Sequence, residues 1–304
     1  MLFFCNALHR HPENRTARYT LYDRRTMAST AISQSAVSDG AEIRLLCLPY
    51  AGGGAAAYHR WRRLMPAPFD LVSLTLPGHD GRLHEPPYTD LRELAAALVN
   101  DIEPVLDRPF ALVGCSMGAW LAFEMSRELQ RRGGGKHARL PELLIVAASR
   151  PPQARSSASP MYLLPDAEFV ATLGRRYGGI PAAVRESPEL LKLLLPSLRA
   201  DLQMVETYEY VEEAPLAVPI FALGGVEDVA VSPTDLAEWR RHTSGDFTLR
   251  LFPGGHFFLF EGRATADGKP AVAEAIEFSS ALAAILARLE RLVPHGRAKR
   301  HSPD

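Results

Sequence analysis

Five residues, Gly114-Cys115-Ser116-Met117-Gly118, have the types and spacing of a serine nucleophile carried on a sharp turn. The apolar run Phe110-Ala-Leu-Val113 precedes them, and a helical pattern with Leu121, Ala122, Met125 and Leu129 on one face follows. Strand, G-x-S-x-G and helix in that order describe a nucleophile elbow, whose flanking glycines make room for the turn. A serine hydroxyl is a weak nucleophile and needs a base, usually a histidine oriented by a carboxylate. With an elbow of this kind the chain order is serine, acid, histidine. The chain has ten histidines. His9, His11, His295 and His301 fall in polar termini, His137 in a Gly/Lys/Arg loop, and His242 at what reads as an exposed helix end. His59 lies on a helical pattern, and His79 and His84 follow a strand in a turn. His256 follows an apolar strand through Pro253-Gly254-Gly255, a loop able to deliver a side chain to the carboxyl edge of a sheet. It is the expected base, with His79 its main rival. The preceding strand ends in Gly224-Gly-Val-Glu-Asp228, where Glu227 and Asp228 are both candidate acids.

Acyl transfer also requires donors for the developing oxyanion, each worth roughly 3 kcal/mol of barrier. One is expected from the backbone N–H of Met117, after the nucleophile, and the other from the loop after an early strand. Ala51, followed by Gly52-Gly53-Gly54, occupies that loop. A phosphate-binding reading of the glycines has neither G-K-[ST] nor G-x-G-x-x-G to support it. Cys47 and Cys115 lie in apolar runs and read as buried small hydrophobes rather than nucleophiles.

The elements that must position these groups alternate. Apolar strand patterns at 43–48, 69–76, 110–113, 142–148, 218–224 and 247–252 are separated by helical patterns, including one that Asp90 caps and that runs through Leu91, Leu94, Leu98 and Ile102. Strands apolar on both faces and alternating with helices predict a parallel sheet covered on both sides, an α/β fold. A helix is expected over 232–241, and a final one over 271–292, burying Ile276, Leu282, Ile285 and Leu289. The alternation stops between 151 and 213, where prolines at 151, 152, 160, 165, 181, 188 and 196 break short helical patterns rich in Leu. That stretch is expected to form a helical cap over the site. The organisation is therefore a core of 41–150 and 214–292, a cap of 151–213, a disordered extension of 1–40 and a basic tail of 293–304.

Composition excludes several classes. The charge balance, 34 basic against 35 acidic residues, gives no global field for nucleic acid or membrane. Three cysteines supply neither a disulfide framework nor a C-x-x-C pair, which suits a reducing compartment. No apolar run approaches the ~20 residues of a membrane span, and the start lacks a secretory pattern. A cytoplasmic monomer with no cofactor and no metal is expected.

Leu48-Pro-Tyr-Ala-Gly-Gly53, Leu76-Pro-Gly78, Gly114-Cys-Ser-Met-Gly118, Arg175-Arg-Tyr-Gly-Gly179, Leu198-Arg-Ala-Asp201, Glu206-Thr-Tyr-Glu-Tyr210 and Phe252-Pro-Gly-Gly-His-Phe-Phe-Leu259 resemble the type II thioesterases. These are stand-alone α/β-hydrolases that accompany modular polyketide synthases and non-ribosomal peptide synthetases. The resemblance covers roughly 42–290 in order. It implies an α/β-hydrolase fold with a helical lid, a Ser116, His256, Asp228 triad and an oxyanion hole from Ala51 and Met117. It also implies a substrate tethered as a thioester to the phosphopantetheine arm of an acyl or peptidyl carrier protein. His79 departs from the pattern, since such proteins often have Arg after Pro-Gly. Arg175, Arg176 and Arg199 near the cap mouth are candidates to dock an acidic carrier, against a plain reading as solvated helix surface. The competing functions are a carboxylesterase or lipase acting on free small esters, and a non-catalytic partner docking on a synthase.

Overall fold

The computed structural model describes residue 32 and residues 40–133, 139–154, 159–177, 186–260 and 272–292. Its centre is a sheet of six strands: β1 (Ile43–Leu48), β2 (Phe69–Ser73), β3 (Phe110–Cys115), β4 (Leu143–Ala147), β5 (Ile220–Gly225) and β6 (Phe247–Phe252). The spatial order is β2-β1-β3-β4-β5-β6, and every neighbouring pair is parallel. All six residues of β1, β3 and β5 are buried because each strand feeds two cores at once. Leu46, Leu48, Leu112 and Val146 face the layer of helices α2 (Leu91–Ile102) and α3 (Met117–Arg131). Ile43, Leu45, Val113 and Ile145 face the opposite layer, which includes α1 (His59–Leu64) and the C-terminal helix. Alternate residues pointing to opposite apolar layers explain why these strands read as continuous hydrophobic runs.

After β1 the chain moves outward to β2 and then returns to place β3 on the other side of β1. The loops leaving β1 and β3 therefore part in opposite directions, and a crevice opens at their carboxyl ends, where open α/β sheets place their sites. Leu48 is in register with Gly114, so Ala51 and Ser116 emerge side by side from adjacent strands.

The described helices of 151–213 lie over this carboxyl edge. They include α4 (Asp166–Tyr177) and α5 (Pro188–Thr207), which build a separate small core from Met161, Phe169, Leu173, Leu195, Leu198 and Leu202, with Ala51 packed against it. The sequence suggests a break at Pro196, but α5 continues through it. Its start is conventional: Pro188 fills the first helical position, and the Ser187 hydroxyl accepts the Leu190 N–H.

Several boundaries differ from those expected. β2 ends at Ser73, and Leu74 instead forms an antiparallel bridge with Ile32, which is buried against the α2 layer. Within the segment expected to be a disordered extension, Ile32 thus has a packed position. The helix expected over 232–241 is a short α6 (Pro233–Ala237) with a Ser232–Asp235 capping box, continued by a tighter turn to His242. The C-terminal helix α7 (Val272–Glu290) buries Leu282, Ile285 and Leu289; the side chain of Ile276 lies outside the described residues, as do 293–304.

Candidate active site

Ser116 joins β3 to α3 at φ 54° and ψ −118°, a left-handed conformation that costs a residue with a side chain about 1–3 kcal/mol. The surroundings enforce it. A Cβ on Gly114 would lie 1.9 Å from the Gly118 carbonyl oxygen, and one on Gly118 would lie 2.5 Å from that of Leu48. Only glycine allows β1, the elbow and α3 to pack this closely. The Ser116 N–H is held by the Ala147 carbonyl at 2.9 Å, which leaves the side chain projecting above the sheet.

The loops after β5 and β6 bring the acid and base to it. His256 Nε2 lies 3.1 Å from Ser116 Oγ, and His256 Nδ1 lies 2.9 Å from Asp228 Oδ2. The other carboxylate oxygen of Asp228 accepts the N–H groups of Ala230 and Val231 at 2.8 and 3.2 Å. The two loops are packed backbone to backbone: a Cβ on Gly225 would come within 2.3 Å of the Gly254 carbonyl oxygen. Burial pushes the Asp228 pKa up, but the His256 hydrogen bond and charge, with the two backbone N–H groups, more than compensate and hold it below the usual carboxylate value. Asp228 therefore stays ionised wherever an imidazole can serve as a base. Glu227 is exposed, and only its backbone N–H is engaged, by Gly254. Of the two candidate acids, the structure brings Asp228 and not Glu227 to His256.

Ala51 and Met117 line one cavity with Ser116. Met117 is the first residue of α3, where backbone N–H groups have no partner within the helix. His79 lines the same cavity but turns away from Ser116: its Nε2 lies 2.9 Å from Asp201 Oδ2 and its Nδ1 3.1 Å from the Pro77 carbonyl oxygen. His59 and His84 are exposed, while His9, His11, His137, His295 and His301 lie outside the described residues. His242 is buried, not exposed, within a cage of Phe123, Tyr210 and Trp239. Cys47 and Cys115 are buried with their thiol pKa raised, chiefly by desolvation, as befits packing residues. Among the described residues no group of three or more His, Cys, Asp or Glu is placed to hold a metal.

The basic residues near the cap divide. Arg199 is used internally, donating to the carbonyls of Tyr162 and Leu164 and to Asp166, with its guanidinium 4.5 Å from the Phe169 ring centroid. Arg175 is exposed and bonds Thr172, while Arg176 lines a cavity and lies over Tyr177.

Two cavities meet at Ser116. One, of about 680 Å³, is polar and open, with Arg150, Gln153, Arg176, Glu206, Tyr208 and Tyr210 in its walls. The other, of about 200 Å³, is apolar, with Leu173, Leu191, Leu194, Leu195, Leu198 and Phe257 in its walls. Tyr177 and Val205 border both, and the Tyr177 ring sits 5.1 Å from that of His256. Sequence reasoning missed Tyr177 and Asp201 as site residues. Both stand in quoted motifs, Arg175-Arg-Tyr and Leu198-Arg-Ala-Asp, but a motif in a helix gives no partner until the helix is docked.

A strained serine elbow at the switch point of a parallel sheet, with His256 and Asp228 in line beneath a helical cap, defines a hydrolase of the α/β-hydrolase fold. The thioesterase domain model matches residues 43–279. The gramicidin S biosynthesis protein GrsT of Aneurinibacillus migulanus is 36% identical over 227 residues, 75% of this chain and 87% of its own. The thioesterase PikA5 of Streptomyces venezuelae is 38% identical over 218 residues, 71% of this chain and 75% of its own. The structure of the type II thioesterase BorB from the borrelidin biosynthetic cluster superposes with a TM-score of 0.72 at 33% identity, covering 86% of this chain and 98% of that one. The chain belongs to the thioesterase family, and it is a hydrolase of thioester bonds. No described helix is long and apolar enough to cross a membrane.

Proposed function

We propose that this thioesterase removes acyl groups from the phosphopantetheine arm of acyl or peptidyl carrier proteins, acting in trans on polyketide or non-ribosomal peptide assembly lines. The observation that carries the reading is the pair of cavities of opposite character meeting at Ser116. A pantetheine arm is a chain of amides and hydroxyls that suits the open polar cavity, and an acyl chain suits the apolar one. Their junction is the thioester carbon, which then lies over Ser116 Oγ.

Ser116 Oγ attacks the thioester carbonyl carbon while His256 Nε2 takes its proton, and Asp228 holds the imidazole with Nδ1 protonated. The N–H groups of Ala51 and Met117 receive the oxyanion. The carbon–sulfur bond breaks, His256 returns the proton to the departing thiolate, and an acyl-enzyme remains. Water activated by His256 repeats the sequence and releases the acid. Methylene-level discrimination by an apolar pocket is only about 1–3 kcal/mol, so acyl selection is broad, as removal of stalled or incorrect groups requires. The enzyme is proposed to work as a cytoplasmic monomer without cofactor.

Intact-mass spectrometry of acyl-loaded carrier proteins incubated with the enzyme tests this directly. Conversion of acyl-carrier to free carrier is expected. A clear preference for free oxyesters, with carrier thioesters left intact, overturns it in favour of a carboxylesterase.

A further inference from the structure

The cap is fastened to the loop that carries Ala51, and the fastening is polar. Asp201 of α5 is 1% exposed; its Oδ2 accepts the N–H of Gly52 at 2.7 Å and faces His79 Nε2 at 2.9 Å. The remaining ring nitrogen, Nδ1, faces the Pro77 carbonyl oxygen. A carbonyl oxygen accepts only, so Nδ1 carries a proton toward Pro77, and the other ring nitrogen is left to bond the Asp201 side chain. One helical turn earlier, Leu198 covers Gly52 so tightly that a Cβ there would lie 2.6 Å from Leu198 Cδ1, while the Ser197 hydroxyl donates to the Gly78 carbonyl. Residues 197, 198 and 201, one face of α5, thus grip the turns that follow β1 and β2. Gly52 sits at φ +73° and follows Ala51 directly, so its hydrogen bond fixes the peptide plane on one side of the expected oxyanion donor.

We propose that Asp201, braced by His79, is a positioning residue that makes the oxyanion hole depend on the seating of the cap. With α5 seated, the carboxylate holds Gly52 and the Ala51 N–H is aimed at the oxyanion. With α5 lifted, the loop loses its buried acceptor and the donor is no longer fixed. The inference rests on Ala51 being an oxyanion donor, as proposed above, and adds the group that orients it.

The test uses Asp201→Ala, Asp201→Asn and His79→Gln in the full chain. Two readouts are steady-state thioester hydrolysis and the rate at which a small fluorophosphonate labels Ser116. The phosphonyl oxygen occupies the same hole, and the probe needs neither a carrier nor an acyl pocket. In Asp201→Ala, kcat and the labelling rate are expected to fall together by about 10- to 100-fold, the range for a misplaced donor, with KM changed less than about threefold. Asn keeps an oxygen for the Gly52 N–H, so Asp201→Asn is expected to recover most of that loss, and His79→Gln to fall between the two. Unchanged labelling in Asp201→Ala, or a loss carried by KM alone, overturns the proposal. If that variant does not fold, His79→Gln decides, and wild-type labelling there overturns it. Failure of the wild type to deacylate carriers sinks the function proposed above yet leaves the labelling comparison intact.

Discussion

The two cavities at Ser116 draw in different proportions on the sheet's loops and on the cap helices, and this determines what each can do. The polar one takes its wall from segments that follow β4 and β5, through Arg150, Gln153 and Ala230, and from the C-terminal ends of α4 and α5 with residues 208–210 beyond them. Arg150 is anchored there by the Ala230 carbonyl at 3.0 Å, and Trp120 by that of Arg150 at 2.8 Å. The apolar one sets Leu side chains of α4 and α5 against the loop after β1, with His79, His256 and Phe257 also in its wall. The strand-end part of the polar wall is fixed to the sheet, whereas the apolar wall, carried on the bodies of two helices, depends on how those helices are seated. Under the proposed function, the invariant half of the substrate, the pantetheine arm, falls against the wall fixed to the sheet, and the variable acyl half against the wall carried on helices.

The largest expected effect bears on both cavities equally. Ser116→Ala is predicted to lower kcat by roughly 10⁵-fold or more, and Asp228→Asn by about 10⁴-fold through the wrong histidine tautomer. Both losses are expected to be the same for an acyl-carrier and for the matching acyl N-acetylcysteamine thioester. A loss confined to one substrate form would place the chemistry elsewhere.

Next in size is an effect confined to the apolar side. Leu194→Trp is predicted to fill that cavity and leave the polar one open. Excluding about four methylenes from burial forfeits about 3 kcal/mol, so kcat/KM for an octanoyl substrate is expected to fall about 100-fold while an acetyl substrate changes little. Equal losses for octanoyl and acetyl groups would show that the acyl chain does not lie there. Tyr177 forms the partition between the cavities, and its truncation is a smaller perturbation. Tyr177→Ala is predicted to merge the two spaces and to shrink the octanoyl-to-acetyl preference by about tenfold, within the range of pocket discrimination. Competition between the two thioesters in one reaction measures this ratio directly.

The same division separates what the sequence reveals from what it withholds. β1, β3, β4 and β5 were legible because each carries its burial on every residue, and the meeting of Ser116, Asp228 and His256 at one sheet edge because all three follow strands whose order fixes where their loops emerge. The choice of Asp228 over Glu227 needed the resemblance to other thioesterases, since adjacent carboxylates in one turn differ only in which way each points. The cap gave its helices but not its partners. That α5 runs through Pro196, and that Asp201 reaches Gly52 and His79, depend on a helix docking at a separation of more than a hundred residues, which no local period encodes. His242 was misread for the same reason: its cage is assembled from Phe123 in α3, Tyr210 just after α5 and Trp239 nearby.

His242 supplies the smallest predicted effect and one specific to the polar side. Its Nε2 lies 2.5 Å from the side-chain oxygen of Gln153, a wall residue of the polar cavity. Burial, reinforced by the charges of Arg127 and Arg241, lowers its pKa to about 4. The unfolded chain binds this proton near pH 6.5, so the folded state binds it less readily. Stability from this group is complete above pH 6.5 and is lost as the pH falls toward 4. Between pH 8 and pH 5 the contribution lost is about 2 kcal/mol. Urea denaturation at both values is expected to reveal that loss in the wild type and a smaller one in His242→Gln, which cannot titrate. Because the proton enters behind the polar wall, acid is also expected to weaken use of carrier-bound substrates before it alters the octanoyl-to-acetyl preference. Identical pH dependence of stability in the two proteins would remove His242 as the cause.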